Sequence, residues 1–202
     1  MPKALYLLAA AFLLLSVSSA AQVAPAGQQP GAGLNWWIGA SVSTFNPDYG
    51  CPDGSPFSCG AHQIIGVGPC LDTNFFLLGK IGFEGEIRFM LWHAPGTLNE
   101  NSYLGGPRVR LFHRGNLNFA GKFLVGVGQL DVPGHDIGSG TYFAFAPGAA
   151  IDYRVARNVA ARVEYEYQRW PSYPVFMGGS GGLTPNGFSF GVSYKISSSH
   201  SE

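Results

Sequence analysis

Charged side chains alternate with apolar ones in several segments of the chain, and this spacing limits the chemistry that they could do. Residues 80–92 read KIGFEGEIRFMLW, so that Glu84, Glu86 and Arg88 occupy alternate positions. Alternate side chains of an extended strand point to the same face. Carboxylates and a guanidinium group on one face can form ion pairs, or they can line a path for ions.

The polar faces of seven such segments carry six acidic and six basic residues, whereas the opposite faces carry essentially none. The acidic residues are Asp72, Glu84, Glu86, Asp152, Glu164 and Glu166, and the basic residues are Arg88, Arg108, Arg110, Lys122, Arg162 and Lys195. Because an isolated buried charge is costly, this balance predicts an interior salt-bridge network if the polar faces are enclosed. We expect the charges of residues 84–88 to face Arg108 and Arg110 on the neighbouring strand. A structural core without conduction is favoured, and a gated ion path is the alternative.

The elements that must position these charges are eight long strands. The predicted strands are Leu34–Phe45, Gln63–Phe75, Lys80–Trp92, Ser102–Phe112, Leu117–Leu130, Thr141–Tyr153, Val159–Trp170 and Asn186–Ile196. Each is long enough to cross a bilayer, and their connections alternate long and short, as in bacterial outer-membrane barrels. The predicted fold is therefore an all-β, eight-stranded antiparallel up-and-down transmembrane β-barrel, closed by pairing of the first and last strands.

The composition favours a membrane barrel over a soluble one. Charged residues make up 12% of the chain, about half of the ~25% typical of soluble domains. Aromatic residues make up 14%, and Trp37, Trp92 and Trp170 have inward parity and could cap the lumen. The formal net charge is zero, which argues against nucleic-acid binding. A soluble lipocalin-like barrel would reverse the two faces, and alternation alone does not exclude it.

The amino end has the features of a secretory signal. Lys3 precedes an apolar run from Ala4 to Leu15, which is too short to span a bilayer as a helix. Cleavage is expected after Ala20 or Ala21. The predicted organisation is a signal peptide at 1–21, a flexible leader at 22–33, an outer-membrane β-barrel at 34–196 and a C-terminal tail at 197–202.

Two cysteines of the first long loop are candidates for a disulfide. Cys51 and Cys59 flank the sequence PDGSPFS, and the compartment reached by a secreted chain is oxidising. The alternative is a pair of free or metal-binding thiols, although no paired histidine motif supports zinc. Cys70 has inward parity and is interpreted as a small buried residue. No metal site and no cofactor are predicted.

Four stretches carry a resemblance to a known family, namely GFEGEIRF, GTYFAFAPGAAIDYR, RVEYEYQRWP and PNGFSFGVSYKI. Together with the signal and the alternating connections, they make residues 34–196 resemble the OmpA-like eight-stranded outer-membrane β-barrel family. The resemblance implies a membrane-embedded, non-enzymatic surface protein of the outer membrane. It also implies that outer membrane lipids and the barrel-assembly machinery are partners, and it specifies no extracellular ligand.

The expected role is a structural or adhesive one at the cell surface, through an unidentified ligand. The loops that would carry this role are 46–62, 94–101, 131–140 and 171–185. One alternative is a small, low-conductance pore, and another is the soluble lipocalin-like ligand binder. A third is a barrel enzyme that modifies lipid A, which would need a histidine, a serine and an acid near the outer rim. His93, Ser102 and Glu100 could supply them, but no motif fixes the arrangement, so no catalytic residue is predicted.

Overall fold

The computed structural model describes six stretches of the chain. They are residues 35–47, 63–75, 77–92, 99–131, 139–174 and 182–196. The predicted signal peptide, leader and C-terminal tail lie outside the described residues. So do Cys51 and Cys59, and their disulfide stays a prediction. The described residues include no helix with the length and apolar character needed to cross a bilayer.

Eight antiparallel strands close into a barrel, which confirms the predicted fold class. The strands are β1 (Trp36–Asn46), β2 (Ile64–Thr73), β3 (Ile81–Trp92), β4 (Asn99–Arg114), β5 (Leu117–Asp131), β6 (Gly140–Ala156), β7 (Val159–Tyr167) and β8 (Asn186–Ile196). Each strand pairs with its neighbours in the chain, and β8 pairs with β1, from Trp36 opposite Ile196 to Asn46 opposite Asn186. This last pairing leaves the sheet without a free edge.

The observed strands differ from the predicted ones by up to three residues at their ends. β4 begins at Asn99 because residues 99–101 pair with the end of β5. These residues were expected in a loop, and Glu100 is instead buried inside the barrel. β7 ends at Tyr167, earlier than predicted, although Trp170 still forms a single bridge to the segment that precedes β8.

Large apolar side chains cover the outward faces of all eight strands. Phe83, Phe123 and Phe190, on three different strands, are each about half exposed. Soluble monomers rarely expose a contiguous apolar patch of more than a few hundred Å², so a barrel that is apolar all round fits a lipid environment. The charged faces are enclosed. This arrangement is the reverse of the one that a soluble lipocalin-like barrel requires.

The two ends of the barrel differ in the length of their connections. Short turns join β2 to β3, β4 to β5 and β6 to β7, and Gly115 in the second of these has a φ of +57°, which glycine adopts without strain. Trp36, the first residue of β1, and Ile196, the last residue of β8, lie at this same end, which we call the short-turn end. The opposite end, with the longer connections, is the long-loop end. In bacterial barrels the short turns face the periplasm.

The barrel interior as the candidate functional site

Lys122 projects into the barrel interior from β5 and contacts four carboxylates. Its Nζ lies 3.1 Å from a carboxylate oxygen of Glu84 and of Glu86, and 2.7 Å from one of Glu166. It also donates a hydrogen bond to Glu164. All five side chains are buried. Because Glu84 and Glu86 belong to β3 and the other two acids to β7, the ammonium group links three strands across the lumen.

Arg88 continues this network toward the long-loop end. Its two Nη atoms lie 2.9 Å from Glu86 Oε1 and 2.8 Å from Glu166 Oε1. Its Nε donates a hydrogen bond of 3.2 Å to Ser43 Oγ, and its guanidinium carbon lies 4.3 Å from the centre of the Phe45 ring. The guanidinium group therefore has charged or polar partners on its edges and an aromatic ring on its face, which is how a buried arginine is stabilised.

Two further arginines extend the network toward the short-turn end. Arg162 Nη2 lies 2.6 Å from Asp72 Oδ2, and Arg162 Nε lies 2.6 Å from Asp152 Oδ1. Arg108 Nη2 lies 2.9 Å from the other Asp152 oxygen, and Arg108 Nε lies 2.9 Å from Glu84 Oε2. Glu84 thereby joins this group to the lysine. The ion pairs form one continuous network along the middle of the lumen.

Ten of the twelve charges expected in the interior belong to this network, and two lie apart from it. Within the described residues, neither Arg110 nor Lys195 has a carboxylate oxygen within ion-pair distance of 4.0 Å. Arg110 instead lies over Phe75, 4.4 Å from the ring centre. Both side chains are near the short-turn end and are partly exposed. Water can therefore solvate their charges in place of a carboxylate partner. Of the pairs expected between β3 and β4, Glu84 with Arg108 is present. The other two charges of β3, Glu86 and Arg88, pair with each other and with Lys122 and Glu166.

The buried network is therefore richer in acids than in cations. Its members are Asp72, Glu84, Glu86, Asp152, Glu164 and Glu166 against Arg88, Arg108, Lys122 and Arg162. The even balance of the sequence does not hold for the enclosed set, because Arg110 and Lys195 stay near the mouth. Loss of one cation would leave an even larger acidic excess in a medium of low polarity.

Three of these acids have a spacing that could suit a cation. Carboxylate oxygens of Glu84, Glu86 and Glu164 lie within 4.8 Å of one another. The ammonium group of Lys122 already contacts all three. The lysine therefore supplies the positive charge that a metal ion would bring, and the cluster is explained without one.

An apolar layer fills the interior on the long-loop side of the ion pairs. It consists of Leu104, Leu124, Leu130, Ala144, Ala146, Trp170, Tyr173 and Leu183. Trp170 is fully buried, and its Nε1 donates a 2.8 Å hydrogen bond to Gln168 Oε1. Gln168 in turn donates to Glu166 Oε1 over 2.7 Å. A second cluster of Phe45, Ile64 and Met90 is buried beside Arg88. The apolar layer is thus joined directly to the salt-bridge network.

The close fit of the apolar layer depends on a glycine. Gly128 projects inward from β5, and a Cβ built there would lie 2.1 Å from Cζ2 of Trp170. Tyr142 stacks on the indole with ring centres 6.4 Å apart, and Tyr173 packs edge-on against Tyr142 at 5.0 Å. The indole therefore has ring and backbone neighbours on several sides, which closes this part of the lumen.

The sequence pattern placed Trp170 on the inward side but gave no sign of the whole apolar layer. Leu124 and Leu130 have the same inward parity as Lys122, and this was the available signal. The outward residues Val125 and Val127 are apolar too, so apolar and polar residues no longer alternate in the second half of β5. The inward leucines therefore do not stand out in the sequence. An apolar residue at inward parity in such a strand indicates a packed interior.

Of the residues considered for an enzyme acting on lipids, two lie in the described part of the chain. Ser102 and Glu100 are both buried inside the barrel, at 4% and 3% exposure. His93 lies outside the described residues. Two of the three groups therefore face the interior instead of the outer rim where a lipid headgroup would lie.

The closed barrel with an apolar exterior and a charged interior agrees with the comparisons to known proteins. A family model described as the outer membrane protein beta-barrel domain matches residues 7–195. The chain belongs to this family. No curated protein matches it in sequence.

Several solved structures share the fold at low sequence identity. Neisserial surface protein A is 15% identical, with a TM-score of 0.53, over 82% of this chain and 98% of that one. The outer membrane protein OprG from Pseudomonas aeruginosa is 12% identical, with a TM-score of 0.50, over 81% and 96%. Ail, the attachment invasion locus protein of Yersinia pestis, is 16% identical, with a TM-score of 0.44, over 81% and 97%. At these identities the likeness to the first two structures concerns the fold alone.

Membership of the family settles where the protein works. It is a barrel of the cell outer membrane, and lipids surround its apolar exterior. The expected localisation and the expected resemblance are both confirmed. The interior described above is therefore a buried protein core enclosed by lipid.

Proposed function

We propose that this protein is a non-conducting, non-enzymatic barrel that holds its long connections at the cell surface, in a structural or adhesive role. The observation that carries the proposal is the filled interior, with Lys122 among four carboxylates and Trp170 fully buried above them. An eight-stranded barrel has an interior just wide enough for its own side chains. A lumen occupied in this way supports an anchor better than a channel.

The groups that would make surface contacts are in the long connections. At the long-loop end, these connections join β1 to β2, β3 to β4, β5 to β6, and β7 to β8. The opposite end has only short turns. Loops on a rigid scaffold commonly carry binding. In the last long connection, Tyr173 and Leu183 pack in the apolar layer. It has a role in closing the lumen as well as any external one.

The proposal extends to partners that would assemble and use the barrel. The barrel-assembly machinery is the expected partner for insertion of the strands. The extracellular ligand would be recognised by residues of the first and third long connections, which contain Asp48, Asp53 and Asp136. This acidic character favours a ligand with basic groups.

Replacement of single loops in living cells tests the surface role. One variant has residues 48–60 replaced by a glycine-serine linker, and another has residues 133–138 replaced in the same way. Cells that carry the intact protein should adhere to immobilised extracellular-matrix proteins, or to one another, more strongly than cells with a replaced loop. A faster-running unboiled band on a gel verifies that each variant barrel is folded. Equal adherence of all strains, with folded barrels, would contradict the proposal.

A low-conductance pore is the second candidate, and one observation favours it. A small cavity of about 10 Å³, roughly the space of one water molecule, lies against Glu84, Glu86 and the hydroxyl groups of Ser41 and Ser189. An ion path could open along these small side chains if the ion pairs rearranged. The two candidates differ in whether the intact barrel carries a current.

A further inference from the structure

The short-turn end of the barrel carries a ring of basic side chains. Its members are Lys80, Arg110, Arg114, Arg154, Arg157 and Lys195, which we call the basic rim. They come from the three short turns and the strand ends next to them. Lys80, Arg114, Arg154 and Arg157 are exposed, and the other two are partly exposed. The four exposed charges are therefore available to a partner outside the protein.

The basic rim has no acidic counterpart on the described part of the chain. Within those residues, none of its six members lies within 4.0 Å of a carboxylate oxygen. Asp152, the acid of the network on β6, has its two oxygens bound by Arg108 and Arg162. Like charges crowded on one surface repel each other, so the rim gains if anions bind to it.

The opposite end has a different charge. At the long-loop end the described residues include exposed Asp131 and exposed Arg169, and the sequence of the long connections adds Asp48, Asp53 and Asp136. The charge of the chain is therefore uneven, basic at the short-turn end and more acidic in the sequence of the long connections. A partner that prefers the rim should be an anion located at that one face.

Apolar side chains of the outer surface reach the same level as the basic rim. Leu78 is 88% exposed two residues before Lys80, and Val155 is 62% exposed between Arg154 and Arg157. In a bilayer, such side chains favour the acyl region or its boundary, while long arginine and lysine side chains extend to the headgroups. We therefore expect the exposed basic groups to reach the depth of the lipid phosphates.

We propose that the basic rim binds the phosphate groups of anionic phospholipids in the leaflet at the short-turn end. Guanidinium groups match phosphate oxygens in a bidentate way, and clusters of basic residues beside a membrane attract anionic lipids. This inference does not depend on what the long connections bind. It assigns a lipid preference to one face of the barrel and fixes the depth at which that face is held.

Lipid selectivity in nanodiscs tests the proposal. The barrel is placed in phosphatidylcholine nanodiscs that contain spin-labelled phosphatidylglycerol or spin-labelled phosphatidylcholine, and the motionally restricted fraction of each probe is measured. The native protein should restrict phosphatidylglycerol about threefold more than phosphatidylcholine at low salt. High salt should reduce this preference, because exposed charges are screened.

Matched variants separate the basic rim from other charges. Arg154→Gln with Arg157→Gln should reduce the preference for phosphatidylglycerol, whereas Arg154→Lys with Arg157→Lys should keep most of it. Arg169→Gln, at the long-loop end, should leave it unchanged. No preference in the native protein, or an equal preference in the glutamine double variant, would overturn the proposal. So would binding of soluble polyphosphate by the native barrel without any phospholipid preference, because the occupant would then come from solution.

Discussion

At the scale of single residues, the account depends on Lys122 and on the acidic excess around it. The ammonium group contacts four buried carboxylates, and the network has fewer cations than acids. Removal of one partner of a buried ion pair is costly because the remaining charge has no compensation. The sign of the imbalance then decides which removal is worse.

Lys122→Met should destabilise the barrel by about 3–5 kcal/mol, because it leaves four carboxylates without their shared cation. Glu164→Gln should cost clearly less, because it lowers the acidic excess and keeps a hydrogen-bonding group. Urea unfolding of the refolded barrel in lipid vesicles measures both. Lys195→Met is the control, since Lys195 is in no ion pair of the described residues. If Glu164→Gln destabilises the barrel as much as Lys122→Met does, the acidic excess does not determine the cost of a lost partner.

Gly128→Ala should destabilise the barrel by about 1–3 kcal/mol, because the added methyl group would overlap the buried indole of Trp170. Gly121→Ala is the matched control in the same strand. Its Cβ would point outward and meet Leu111 at an ordinary distance of 3.5 Å, so a change within about 0.5 kcal/mol is expected. Unfolding midpoints that do not differ between the two variants would show that the apolar layer is loosely packed.

At the scale of the strands, alternation predicted much of the architecture. It gave eight strands, the bounds of β8 and the inward face of each charged strand. It missed the start of β4, because Asn99, Glu100 and Asn101 are polar and resemble a loop, although they pair with β5. Local pattern could not identify this pairing, which depends on the length of the neighbouring strand.

The pairs formed across the lumen were also beyond the sequence pattern. Period-two alternation assigns Glu86 and Glu166 to the interior, but it does not state that both contact Lys122 from strands β3 and β7. That proximity depends on the stagger and tilt of the closed barrel. For the same reason the pattern did not separate the enclosed charges from Arg110 and Lys195, whose depth along the lumen leaves them partly exposed.

A strand-level prediction concerns the outward face of β5. Val125 lies near the middle of the strand and is 40% exposed, so Val125→Arg should cost about 2–4 kcal/mol in a bilayer. Gln129→Arg, on the same face but near the strand end, should cost about 0–1 kcal/mol. Unfolding of the two variants in lipid vesicles measures both costs. An equal cost at the two depths would contradict the assignment of this face to the lipid core.

At the scale of the whole molecule, three regions of different polarity lie along the barrel axis. A basic rim marks the short-turn end, the salt-bridge network fills the middle of the lumen, and the apolar layer closes the long-loop side. The enclosed layers support a rigid anchor, and the basic rim supports a fixed orientation among lipids. The barrel therefore combines an interior filled by packed side chains with a surface whose charge differs between its two ends.

The most direct test of the sealed interior is ion current through the purified barrel in a planar lipid bilayer. Insertion is verified by the faster-running band of the unboiled protein on a gel. The account predicts no resolved current steps for the native protein, because the salt-bridge network and the apolar layer fill the described part of the lumen. Steady current steps from the native barrel, altered by Lys122→Met, would contradict it and establish the pore.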